Sequence, residues 1–145
     1  MNLEDFFTPA QQDAITAAIA GAERKCSGEI RVHLTPRCRF SPVKAARRVF
    51  NRLKMYQTRQ RNAVLVYLAP MSRKLAIIGD SAINERVDKN YWDEEVRILA
   101  KALSQGQDAE GIIEAVERIG RKLAEHFPPE ADDQNELSNE ISYEP

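Results

Sequence analysis

The segment AVLVYLA, residues 63–69, constrains this chain more than any other. Seven consecutive apolar residues leave no polar face, so a strand formed here cannot show one side to water. The run is also far too short for a membrane helix, which needs about 20 apolar residues. It therefore predicts a strand covered on both faces, as in a parallel sheet beneath helices.

The neighbours of that strand follow from pattern. Residues 29–35 alternate, with Ile30, Val32 and Leu34 on one face and Glu29, Arg31 and His33 on the other, after a Ser27-Gly28 turn. Residues 74–79 form a third strand, reached through Pro70, Met71 and Ser72, a link so short that it must run antiparallel to the second. Between the first two strands, Ser41-Pro42 is a helix cap and first residue, opening a helix over 42–56. Ala46, Val49, Phe50 and Leu53 face inward from it, and Lys44, Arg47, Arg48 and Arg52 face out. That crossover makes strands one and two parallel and right-handed.

Thr8, Pro9 and Gln11 form a capping box for a helix over 9–25 striped by Ile15, Ala18, Ile19 and Ala22, with Phe6 and Phe7 folded back as a plug. Asp80 ends the third strand and caps a short helix over 81–87. A helix over 90–103 carries Trp92, Val96, Leu99 and Leu103 and stops at Gly106; the last, 108–126, takes Asp108 as N-cap and ends before Pro128-Pro129. The expected fold is α/β, a small mixed sheet with helices on both faces, in one domain over 5–128 with an acidic tail over 129–145, extended or disordered.

A chain of 145 residues can bury a core without staples. Its formal charge of −1 hides an asymmetry: residues 36–61 hold nine bases and no acid, and the last sixteen hold six acids and no base. Such a basic segment raises nucleic acid as a partner, but Phe40, Phe50 and Tyr56 fit packing and helix ends better than a stacking platform, so nucleic acid is disfavoured. The first eight residues lack a secretory pattern, and Cys26 and Cys38, separated by a strand, are not a disulfide pair; a reducing, cytoplasmic setting is expected.

Chemistry comes from strand directions. Glu29 and Asn62 begin the two parallel strands and Asp80 ends the antiparallel one, so all three arrive at one edge, near Gly28, Gly79 and the loop 58–61. Two carboxylates and an amide are hard ligands suited to Ca2+ or Mg2+. The competing reading has Glu29 paired with Arg59 or Arg61 and Asp80 serving only as a helix cap. His33 and His126 have no partners at zinc-ligand spacing, and no Walker A, GxGxxG or GxSxG pattern is present.

The ordered set Phe6-Phe7, Ser27-Gly28-Glu29-Ile30, the helix from Ala46 to Leu53 with Thr58, Arg61-Asn62-Ala63-Val64-Leu65, and Arg73-Lys74 through Ile77-Ile78-Gly79-Asp80 resembles the TPM domain family, named for thylakoid-lumen, photosystem-associated and receptor-modulator members. Trp92, His126-Phe127-Pro128 and Asn135-Glu136-Leu137 resemble its small single-domain bacterial members, and the likeness spans about residues 5 to 142. It implies a three-layer, Rossmann-like α/β/α sandwich and binding of divalent cations, chiefly Ca2+. Some plant relatives are acid phosphatases and others are accessory proteins. By position, the resemblance carries over Glu29 and Asp80, with Asn62 behind them. The expected function is thus a TPM-type domain binding Ca2+ or Mg2+ at Glu29, Asn62 and Asp80. Metal-assisted phosphatase activity on a phosphomonoester is left open, because no residue stands out as nucleophile or general acid. The alternative is a non-enzymatic module whose basic helix or acidic tail docks a protein partner.

Overall fold

The structure is a computed structural model that describes residues 3–130 and 138–144. The apolar run forms β2 (Ala63–Ala69), with all seven residues buried. β1 (Glu29–Leu34) lies parallel to it, with Glu29 opposite Ala63, and β3 (Lys74–Gly79) lies antiparallel on its other side, with Gly79 opposite Val64. β4 (Ser142–Tyr143) adds parallel to the outer side of β1, giving the order β3-β2-β1-β4. This fourth strand was not among the expected elements. It is two residues long in a polar segment, and what makes it a strand is distant: Ile141 is buried and the Glu144 N–H donates to the Leu34 carbonyl.

Helices cover both faces, as the unbroken apolar run requires. α1 (Pro9–Arg24), α4 (Tyr91–Ser104) and α5 (Asp108–His126) bury Ile15, Ile19, Leu99 and Ile119 against Ile30, Val32, Val64 and Val66. α2 (Pro42–Arg52) covers the other face, packing Ala46, Val49 and Phe50 on Leu65, Tyr67 and Ala76. α3 (Ser81–Arg86) follows β3 directly. The molecule is therefore a mixed α/β fold in three layers.

The capping box at Thr8 and Gln11 forms, and Ser41 accepts from the Lys44 N–H. Most other ends shift by at most one residue, and two boundaries differ from expectation for a visible reason. α2 stops at Arg52, not 56, because Lys54 takes a left-handed backbone with φ 55°. Its N–H donates to Asn51 and that of Met55 to Phe50, a Schellman turn built on a lysine where glycine would have been the visible signal. The N-cap of α5 is Gln107, with Asp108 its first helical residue. Cys26 and Cys38 are buried and form no disulfide. Among the described residues, no helix is long and apolar enough to cross a membrane.

Candidate functional site

The start of β1, the start of β2 and the end of β3 do meet at one edge of the sheet. Glu29 stands opposite Ala63, next to Asn62, and the Asp80 N–H donates to the Ala63 carbonyl at 2.9 Å. Glu29, Asn62 and Asp80 are all buried. Within that edge the two acids lie on opposite flanks of β2, two strand spacings apart, or about 10 Å.

Asp80 is fully engaged on its flank. Its two carboxylate oxygens accept from Arg61 Nε at 2.7 Å and Nη2 at 2.8 Å, and one of them also caps α3 by accepting the Ser81 N–H at 2.7 Å. Arg61 holds a left-handed backbone, φ 53°, and its carbonyl accepts the Ala82 N–H, so the pair fixes the turn into β2 onto the start of α3. Arg61 thus pairs with Asp80 and not with Glu29. Asn62 lies between the flanks, its amide nitrogen donating to Ser27 Oγ at 3.4 Å.

Glu29 faces a different group, one that pattern reading missed. Glu23, in the last turn of α1, turns inward so that its Oε2 accepts the Ile30 N–H at 2.7 Å, where β4 is too short to cover β1. Its carboxyl also lies close enough to that of Glu29 for the two to interact. Burial, against the pull of the Ile30 N–H and reinforced by the Glu29 charge, pushes the Glu23 carboxyl up to about 9. One sequence signal did point to it: an acid at a helix C-terminus opposes the helix dipole and so needs another reason to be there.

The carboxyl pair borders a hollow of about 390 Å3 lined also by Cys26, Gly28, Glu130 and Asn139. Glu130 accepts from Gln60 Nε2 at 2.6 Å, which ties the loop before β2 to the tail. The carboxylate and amide oxygens here are the chemistry a hard divalent cation takes, and the Arg24 side chain and the Cys26 thiol also line the hollow. Among the described residues, no three acids, histidines or cysteines cluster tightly enough to hold an ion alone. A cation would therefore need amide, main-chain or water oxygens beside the acids.

A family model described as "TPM domain" matches residues 1–122. The NMR structure of BA42 protein from the psychrophilic bacterium Bizionia argentinensis is 37% identical, with 99% of each chain covered and a TM-score of 0.90. The solution NMR structure of the N-terminal domain of cg2496 protein from Corynebacterium glutamicum shares the fold at 17% identity, covering 88% of this chain and 81% of that one, with a TM-score of 0.67. No protein of curated function matches.

Proposed function

The chain belongs to the TPM domain family, and from that membership and the geometry at the start of β1 we propose that it is a domain that binds a divalent cation, Ca2+ or Mg2+, at the Glu29, Asn62 and Asp80 edge. The observation that supports this is the contact between the Glu23 and Glu29 carboxyls beside the 390 Å3 hollow. Two acids side by side in a buried setting call for a positive charge between them; a proton answers in the metal-free protein, and a divalent ion answers better. Glu29 and Glu23 would hold the ion, with the Asn62 amide beside them. Asp80 would join only by exchanging Arg61 for the ion.

Titration with Ca2+ or Mg2+ while following backbone amide shifts tests this. Shifts are expected at Gly28, Glu29 and Ile30, and are lost in Glu29→Gln; shifts at Gly79 and Asp80 would show that Asp80 joins. No shift at millimolar ion, or shifts that survive Glu29→Gln with Glu23→Gln, would overturn the reading. The finer reading is hydrolysis of a phosphomonoester, in which the ion would polarise a phosphate oxygen. Turnover that requires added ion and falls with Glu29→Gln would support it; turnover indifferent to that substitution would count against it.

A further inference from the structure

Among the described residues the sheet ends in β3 on one side and in the two-residue β4 on the other, so β3 is its long edge without a neighbouring strand. Because the Asp80 N–H donates to the Ala63 carbonyl, the alternation of an antiparallel ladder turns the main-chain groups of Ala76 and Ile78 toward β2 and those of Leu75, Ile77 and Gly79 outward. The outward Gly79 carbonyl accepts the Asn84 side-chain amide at 2.8 Å, and Asn84 in turn accepts the Trp92 indole N–H at 2.7 Å. Beyond that end, β3 has few of the devices that usually blunt an edge: it holds no proline, and its one charge is Lys74 at the start.

Two hollows flank this edge. One, about 380 Å3, lies beside Ile77, Ile78 and Gly79, with Val43 and Arg47 of α2 on one bank and Trp92 of α4 on the other. The second, about 420 Å3, lies beside Leu75, with Phe6 and Leu103 in its wall. Val43 and Tyr56, both exposed, add apolar surface along the first. From α2 the hollow takes one base, the exposed Arg47, and no acid, and the exposed Lys89 also lines it. Of the two acids lining this hollow, Asp80 is paired with Arg61, which leaves Asp93. In the second hollow, Arg73 and Asp108 offset one another.

The opposite edge already displays the matching chemistry within the chain. There β4 adds to β1, and the Glu144 carboxylate that follows it accepts from Arg52, a base of the same α2. A short extended segment on a sheet edge, with one acid held by an α2 arginine, is thus something this fold already binds.

We infer that the open edge of β3 is a strand-addition site for an extended acidic segment of a partner protein. The main-chain groups of Leu75 and Ile77 and the Gly79 N–H supply the ladder, the Gly79 carbonyl being held by Asn84; the two hollows take alternate apolar side chains, and Arg47 and Lys89 select for acids. The site meets the proposed cation edge at Gly79 and Asp80, but the Glu23 and Glu29 carboxyls lie across β2, so a response at Leu75 and Ile77 reports this site and one at Gly28, Glu29 and Ile30 reports the other.

The test uses the full chain and an octapeptide alternating Glu and Val as probe, with amide shifts and hydrogen exchange as readouts. Leu75, Ile77 and Gly79 are expected to shift and exchange more slowly when the peptide binds. The double substitution Arg47→Glu, Lys89→Glu, at exposed positions, weakens binding by about tenfold or more as like charges replace opposite ones. A peptide with proline at its centre, which cannot complete the ladder, does not bind. Equal binding of a Lys-Val octapeptide, or no response of these three amides at millimolar peptide, overturns the proposal. So does a response confined to the Glu144 amide, which would place the peptide at β1. Protection of β3 that grows with protein concentration in the absence of peptide would make a second copy the occupant, and binding of a single-stranded oligonucleotide in place of the peptide would make it nucleic acid; either result overturns the proposal.

Discussion

Glu23 shows how one side chain can set the pH response of a small domain. Its carboxyl is raised from 4.5 to about 9, chiefly by burial, so between those values the folded chain holds a proton that the unfolded chain does not. Stability from this group is complete below pH 4.5 and is lost as pH rises through about 9. In metal-free protein, the urea midpoint is expected to fall between pH 5 and pH 9. Glu23→Gln, which keeps the neutral shape, should remove that decline and recover several kcal/mol at pH 9. A Glu23→Gln profile parallel to that of the parent would show that the carboxyl pair carries no such load. At this scale, strand direction alone brought Glu29, Asn62 and Asp80 to one edge. It left open which partner each acid would take, since Arg61 could have reached either.

Among elements, β4 is the one held most by side chains. Thr35 Oγ1 donates to Glu144 at 2.6 Å, Arg52 to Glu144 at 2.5 Å, and His33 Nδ1 lies 3.0 Å from Ser142 Oγ. Burial, opposed by the Glu144 charge, lowers the His33 imidazole from 6.5 to about 4. A depressed histidine gives stability that is whole above pH 6.5 and lost as pH falls toward 4, the opposite slope to that of Glu23. The His33 ring signals should therefore titrate near pH 4, and β4 should loosen over that interval. Glu144→Gln should cost no more than about 1 kcal/mol, because the Arg52 pair is half-exposed. That still quickens exchange of the Glu144 amide by about fivefold; unchanged exchange would mean that Ile141 and Tyr143 alone hold the strand. The apolar elements were legible where a period repeated. β4 and the end of α2 were not, because one is defined by partners more than a hundred residues away and the other by a left-handed Lys54 that composition does not announce.

Over the whole molecule, α1 and α5 lie side by side beneath the sheet, and Gly120 sets how closely they approach: a Cβ there would stand 2.6 Å from that of Ala22. Gly120→Val should push the layers apart and cost about 1 to 3 kcal/mol, a fall in Tm of roughly 3 to 10 °C. A Tm within one degree of the parent would mean that the helices can slide to absorb the side chain. The order of elements, their relative directions and the meeting of three strand ends were contained in the sequence, because apolar period and link length act locally and constrain direction. Only the tertiary structure decided that Asp80 is claimed by Arg61, that Glu23 comes to face Glu29, and that the tail covers the end of one sheet edge and leaves the other without a strand. Those outcomes depend on which charges share a buried volume once the layers close, and a chain read residue by residue does not contain that distance.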